Sequence, residues 1–181
     1  MDEDTIANAE AWSARHGSRL LERLGTGIHG IVFTVESNAE FGAAALKVHY
    51  SPEPYFRERR VYERLKELGV SEILGFDVPH LLDFDDELLA LSMTIVMPPF
   101  VLDFAGAYLD SAPEFSEEIW EEWTRKNQEQ FGADWLMARR ILGELQDLGI
   151  HMHDPSPANA PLPPVLVNPL ERLTRIVRIR A

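Results

Sequence analysis

Three glycines near the start of the chain have the spacing of a loop that binds phosphate. They lie in Gly25-Thr-Gly-Ile-His-Gly-Ile-Val32, a G-x-G-x-x-G-x-V pattern. In a dinucleotide-binding fold such glycines follow a strand and open a helix. Here the β-branched segment Ile31-Val-Phe-Thr-Val35 follows them, which predicts a second strand and places the glycines in a hairpin. Because glycine has no side chain, such a hairpin lets the backbone lie close over a phosphate group.

Lys47 and Glu58 are a second pair of residues that could do chemistry. Lys47 lies in the apolar segment Ala45-Leu-Lys-Val48, and its two neighbours point to the opposite face of the predicted strand. A buried ammonium group is costly unless it is paired, so the alternative is an edge lysine whose amine reaches water. Glu58 lies on a predicted helix that follows this strand. It is either the carboxylate partner of Lys47 or an ordinary solvated helix charge.

Asp154 and Asn159 lie on a proline-rich loop that follows a predicted helix. The segment reads Leu148-Gly-Ile-His-Met-His-Asp-Pro-Ser-Pro-Ala-Asn159, with a carboxylate and an amide five positions apart. A carboxylate can orient or deprotonate a hydroxyl group, and an amide oxygen can bind a hard cation. The alternatives are a transition-metal site formed by His151, His153 and Asp154, or histidines that pack beneath the loop.

The strands that must position these residues follow from the apolar pattern and the turn-forming residues. Residues 5–24 look helical near their start and become strand-like over 18–24. Further strands are predicted at 31–36, 43–49, 79–84 and 87–96. The apolar run at 93–97 is typical of a central strand.

Helices are predicted in three further segments, at 55–68, 114–130 and 135–148. The residues expected on the apolar face of the first are Phe56, Val61, Leu65 and Leu68. The helix at 135–148 ends at Gly149, and the residues expected on its apolar face are Leu136, Ile141, Leu142, Leu145 and Leu148. The order of elements predicts an α+β fold, with an antiparallel sheet and one key helix followed by an α-helical segment.

The composition excludes several classes of function. With 181 residues, 45% of them hydrophobic, the chain suits one folded domain with or without a tail. Its 30 acidic and 17 basic residues give a net charge of −13, which argues against nucleic acid and membrane surfaces as partners. The absence of cysteine excludes disulfides, thiolate nucleophiles and cysteine-bound metals. The N-terminus has no basic and apolar signal segment, so we expect a cytoplasmic protein.

This chain resembles the protein-kinase-like superfamily in the order of four features. They are the glycine hairpin, the strand lysine, the helix glutamate and the D-x-x-x-x-N segment. The resemblance covers roughly residues 18–160. It implies an N-terminal extension at 1–17 and a kinase-like N-lobe, an antiparallel sheet plus one key helix, at 18–97. A hinge, helices and a catalytic-loop remnant would follow at 98–160, as a truncated and mainly helical C-lobe, before a proline- and arginine-rich tail at 161–181.

The same resemblance implies an ATP site and a role for each matching residue. The residues that would contact the nucleotide are Gly25, Gly27, Gly30, Val32, Ala45, Lys47, Glu58, Met97, Pro98 and Phe100. Lys47 would hold the α- and β-phosphates and pair with Glu58. Met97 would lie at the back of the adenine pocket, followed by the hinge, where the carbonyl of Pro98 and the amide of Phe100 would bind the base. Asp154 and Lys47 would be the catalytic residues, with Asp154 as the base, and Asn159 would be a Mg²⁺ ligand.

The sequence departs from this family after Asn159. No aspartate follows Asp154, so the D-F-G aspartate, the family's main metal ligand, has no counterpart, and Glu171 is the only later acid that could replace it. Asn159 alone is a neutral and weak Mg²⁺ ligand. We therefore expect a nucleotide-binding protein of the pseudokinase-like or regulatory type. The alternative is a minimal ATP-dependent phosphotransferase, serine/threonine-kinase-like or acting on a small molecule, that uses Asp154 as its base.

Two surfaces could take a protein partner. An N-lobe without a full C-lobe exposes its apolar floor, so we expect a protein partner or self-association there. Trp120, Trp123 and Ile119 lie on an acidic predicted helix, where they either pack into the core or form a partner-binding face. The arginine-containing tail either pairs with other strands or contacts the acidic surface of the chain.

Overall fold

The computed structural model describes residues 2–36, 42–96, 100–101, 103–112, 114–152 and 156–157. Within these ranges the α-helices are Asp2–Arg15 (α1), Pro52–Glu67 (α2), Glu117–Phe131 (α3) and Trp135–Asp147 (α4). Short 3₁₀ turns are formed by Phe104–Gly106 and Gly132–Asp134. No helix in the described part of the chain is both long enough and apolar enough to cross a membrane.

The strands occur in runs between these helices and pair in antiparallel fashion, so the fold is α+β, as the sequence predicts. The longer strands are Arg19–Thr26 (β1), Gly30–Glu36 (β2) and Ala43–His49 (β3). The shorter ones are Glu72–Ile73 (β4), Phe76–Asp77 (β5), Leu81–Asp85 (β6), Ala90–Met93 (β7), Phe100–Val101 (β8), Tyr108–Leu109 (β9), Ile150–His151 (β10) and Ser156–Pro157 (β11).

Five of these strands form one antiparallel sheet in the order β1-β2-β3-β7-β6. β1 and β2 form the predicted hairpin, in which Gly25 lies opposite Val32. Lys47 on β3 lies opposite Val32 on one side and Leu91 of β7 on the other. Lys47 is therefore on a central strand, which excludes the interpretation as an edge lysine.

The two faces of the sheet belong to different apolar clusters. Strand alternation sends Leu46 and Val48 to the face that α1 covers with Ala9 and Trp12. It sends Ala45 to the opposite face, where α2 and α4 contribute to the cluster. The N-terminal segment, which the sequence suggested as an extension, thus contains a helix that packs directly on the sheet.

The buried face of α2 differs from the predicted one. Val61 and Leu65 are buried as expected, but Phe56 is 38% exposed and Leu68 is 52% exposed. The buried stripe also includes Tyr55, Glu58 and Tyr62. Counting apolar residues alone missed it, because the stripe at helical spacing passes through polar side chains. Likewise, Leu136 of α4 was expected in the core and is 73% exposed.

Strand β7, between β3 and β6, is shorter than predicted, because residues 87–89 form part of a turn instead. The carboxylate of Asp85 accepts hydrogen bonds from the backbone N–H groups of Glu87 and Leu88. Such local bonds compete with strand pairing and favour a turn. After Met93 the chain leaves the sheet, although the N–H of Thr94 still donates to the carbonyl of His80. The sheet therefore ends before residues 94–96.

The acidic helix α3 begins three residues later than predicted and is buried mainly at its C-terminal end, through Asn127 and Phe131. Trp123 packs edge-on against Trp135 of α4, with ring centroids 5.8 Å apart. That contact supports the core-packing interpretation for Trp123. Ile119, in contrast, is half exposed.

Candidate functional site

Lys47 and Glu58 form a buried ion pair between the sheet and α2. Nζ of Lys47 lies 2.6 Å from Oε2 of Glu58, and the two side chains are 13% and 4% exposed. The alternation of β3 directs Lys47 toward α2, and the buried stripe of α2 carries Glu58 to meet it. The structure thus brings the predicted pair together, and Glu58 is not a solvated helix charge.

A second carboxylate, that of Asp103, holds the same ammonium group. Its Oδ1 lies 3.0 Å from Nζ of Lys47 and also accepts the backbone N–H of Ala105, which fixes the start of a 3₁₀ turn. Its Oδ2 lies 3.8 Å from Nε2 of His29 in the glycine hairpin. Asp103 was not among the site residues predicted from the sequence. The available signal was its charge, which is the only one in the apolar segment 95–107.

His49 completes the cluster from the same strand as Lys47. Its Nε2 lies 2.7 Å from Oε2 of Glu58, and its Nδ1 lies 3.2 Å from the carbonyl oxygen of Leu89. The side chain has no exposed surface. The sequence did not predict His49 as a site residue. The signal that was missed is the two-residue spacing from Lys47, which places both side chains on one face of a strand.

The charges of this cluster stabilise one another. Burial raises the pKa of Glu58, but the charge of Lys47 and the hydrogen bond with His49 outweigh it and lower that pKa to about 2. Burial lowers the pKa of Lys47, but the negative charges of Glu58 and Asp103 outweigh it and raise that pKa. Lys47 is therefore a cation and Glu58 an anion at neutral pH.

The three glycines of the hairpin differ in what the fold demands of them. A Cβ atom built on Gly30 would lie 2.3 Å from the carbonyl oxygen of Val48, a backbone atom that cannot move aside cheaply. A Cβ atom on Gly25 or Gly27 would meet no described atom within 4 Å. Packing thus requires glycine only at the third position, and the first two leave open space that a ligand could approach.

Replacing Gly30 with alanine should destabilise the protein by about 1–3 kcal/mol, because the new methyl group overlaps a strand carbonyl. For a domain of this size that corresponds to a fall in Tm of roughly 2–12 °C in thermal unfolding followed by circular dichroism. Gly27→Ala is the matched control on the same hairpin and should leave Tm nearly unchanged. Equal Tm values for the two variants would contradict the steric argument.

The remaining predicted site residues divide into those that the structure describes and those outside its ranges. Val32 and Ala45 lie on the same sheet face as Lys47, and both contact the apolar cluster beside it. The backbone of Phe100 pairs with that of Pro157. The predicted residues that lie outside the described ranges are Met97, Pro98, Asp154 and Asn159.

The sequence predicted a metal ligand at Asn159. Because Asn159 lies outside the described ranges, the structure does not test that prediction. Among the residues that the structure does describe, no group of three or more histidine, aspartate or glutamate side chains is arranged to hold a metal ion. The alternative site with His151, His153 and Asp154 also falls largely outside the described part of the chain. His151 itself lies on β10, opposite Tyr108.

The arrangement thus consists of an ammonium group between two carboxylates, a buried histidine and a glycine hairpin on the adjoining strands. An ammonium group in this position can bind an anionic oxygen. Comparisons with protein-family models, with curated proteins and with solved structures gave no match to this chain.

Proposed function

We propose that this chain is a kinase-like nucleotide-binding protein in which Lys47 holds the phosphates of ATP. The observation that carries the proposal is the buried ion pair of Lys47 and Glu58, 2.6 Å apart, on the strand that adjoins the glycine hairpin. An antiparallel sheet with a helix, α2, that carries the partner of the strand lysine is also what the kinase resemblance implies for an N-lobe.

The ammonium group of Lys47 has capacity for a phosphate oxygen. An ammonium group donates three hydrogen bonds, and the described contacts with Glu58 and Asp103 use two of them. The side chain keeps some exposed surface, so the third donor is within reach of a ligand. Charge-assisted bonds of this kind are the strong ones in phosphate recognition.

The apolar surface next to Lys47 supports a place for the adenine ring. Val32 and Ala45 lie on the same face as Lys47, one on the hairpin and one two residues earlier on β3. Val32 is only half-buried, so part of its side chain is available to a ligand. The glycine hairpin and this surface together would bind the two ends of one nucleotide.

The described residues favour nucleotide binding over a metal-dependent reaction. Glu58 and Asp103 are the carboxylates of the site, and both already bind Lys47, so as arranged they do not fit a Mg²⁺ site. We accordingly propose a pseudokinase-like or regulatory role and assign no chemical step. The minimal phosphotransferase remains the alternative, in which Asp154 would be the base and Asn159 the metal ligand.

Titration calorimetry with ATP, with and without Mg²⁺, tests the proposal. We expect saturable binding that Lys47→Met weakens by about 1.5–3 kcal/mol, or roughly 10- to 150-fold, because a charged hydrogen bond is lost. Lys66→Met removes an exposed lysine at the end of α2 and should leave the affinity unchanged. Circular dichroism must show that both variants fold.

Two other results would change the interpretation. The proposed site would be rejected if the wild-type protein bound no ATP with or without Mg²⁺. It would also be rejected if the Lys47 and Lys66 variants lost ATP affinity equally. Mg²⁺-dependent loss of the γ-phosphate that Asp154→Asn abolishes would instead support the phosphotransferase alternative.

A further inference from the structure

We propose that His49 is a positioning residue for this site, because it holds the Glu58 carboxylate in the orientation that binds Lys47. The inference rests on the proposed function, since the purpose of the orientation is to place Lys47 for a phosphate. The juxtaposition itself is independent of any ligand. One oxygen, Oε2 of Glu58, lies 2.6 Å from Nζ of Lys47 and 2.7 Å from Nε2 of His49.

The imidazole ring is itself held on several sides, so it can act as a fixed support. Its Nδ1 lies 3.2 Å from the carbonyl oxygen of Leu89 on the turn before β7, and it donates to that oxygen when both ring nitrogens carry a proton. The ring of Tyr55 packs edge-on against it, with centroids 5.5 Å apart. The backbone N–H of His49 donates to the same Leu89 carbonyl oxygen. A side chain locked by packing and hydrogen bonds can fix the geometry of its neighbour.

The need for such a support comes from the competition between two carboxylates for one ammonium group. Asp103 binds Lys47 from the other side, and its carboxylate is held by the backbone N–H of Ala105. Glu58 is on a longer side chain with more rotamers, and His49 supplies the second hydrogen bond that it needs. Without His49 the carboxylate of Glu58 would be free to turn, and Lys47 would be left with Asp103 alone.

Two substitutions of His49 separate positioning from packing. In His49→Gln the amide nitrogen takes roughly the place of Nε2 and can still donate to Glu58. In His49→Asn it takes roughly the place of Nδ1 and can donate to the Leu89 carbonyl instead. Both variants lose the ring that packs against Tyr55, so a purely structural role predicts similar losses of stability and affinity in both.

The positioning role predicts that the two variants differ in ATP affinity. We expect His49→Gln to stay within about threefold of the wild-type Kd and His49→Asn to raise it about tenfold or more, with similar Tm values. Equal affinities in the two variants would overturn the proposal.

A ligand-free measurement keeps this result separate from the nucleotide proposal. In the wild-type protein, ¹H–¹⁵N NMR of the imidazole should show a proton on Nε2 of His49 that is protected from exchange. The ammonium signal of Lys47 should move in His49→Asn and stay in place in His49→Gln. An Nε2 atom without a proton in the wild-type protein would overturn the positioning role, even if both variants failed to fold. Correct NMR behaviour without any ATP binding would instead reject only the proposed function.

Discussion

Glu58→Ala is expected to lower the free energy of unfolding by about 3–5 kcal/mol at neutral pH, because removing one partner of a buried ion pair leaves the other charge uncompensated. The variant leaves Lys47 with Asp103 as its remaining described carboxylate and removes the acceptor of His49. Tm should fall by roughly 6–20 °C for a domain of this size. Urea denaturation gives the free energy directly.

The control for this substitution lies on the same helix. Glu67 is exposed at the end of α2, and Glu67→Ala should change the stability by less than about 0.5 kcal/mol. If the two variants were equally stable, the buried ion pair would contribute nothing measurable. That result would also remove the structural basis for placing Lys47.

The pH dependence of stability is an independent test of the contribution of Glu58. Glu58 has a pKa of about 2 in the folded protein, against about 4.5 for an unperturbed glutamate. A group whose pKa is lower in the folded state stabilises the protein above its unfolded pKa and loses that effect as the pH falls. The wild-type protein should therefore lose stability between about pH 4.5 and pH 2, by up to about 3 kcal/mol from this residue. Glu58→Gln should lose correspondingly less over that interval.

Asp103→Asn is expected to strengthen the binding of metal-free ATP by about 10- to 100-fold. The Asp103 carboxylate lies 3.0 Å from Nζ of Lys47, where it repels an incoming phosphate and occupies one of the ammonium donors. Asparagine keeps an oxygen acceptor for the N–H of Ala105, so the 3₁₀ turn remains capped while the negative charge is removed. Titration calorimetry in the presence of a metal chelator measures the effect.

The matched control is an aspartate at an exposed helix end. Asp147→Asn on α4 removes the same amount of charge from the chain and should leave the ATP affinity unchanged within a factor of about two. Equal gains in both variants would mean that only the net charge matters. Weaker binding by Asp103→Asn would show that its carboxylate supports the ligand instead of competing with it.

The sequence was most informative where local rules act. The G-x-G-x-x-G spacing followed by β-branched residues was sufficient to predict the hairpin, and strand alternation was sufficient to direct Lys47 away from Leu46 and Val48. The order strand then helix indicated Glu58 as a candidate partner of Lys47 but left open a solvated helix charge. These inferences depend on short separations along the chain, for which the periods of strands and helices are reliable guides.

Residues that meet across long separations were the ones that sequence reasoning missed. Asp103 reaches Lys47 across 56 positions, because α2 packs against the 3₁₀ turn at Phe104–Gly106. The spacing of apolar residues along the sequence does not predict a contact between Asp103 and Lys47. The face of α2 was misjudged for a related reason, because the hydroxyl group of the buried Tyr55 donates to Asp86, 31 positions away.

The helix α1 has a practical consequence for anyone who wishes to alter this protein. Its buried residues Ala9 and Trp12 contact a cluster that the sheet separates from Lys47 and Glu58. Substitutions more than about 7–10 Å apart that share no partner usually add. An engineer can therefore adjust thermal tolerance on the α1 side and ligand preference on the α2 side as two nearly independent variables. Removing α1 to shorten the chain would instead expose the apolar back of the sheet and favour aggregation.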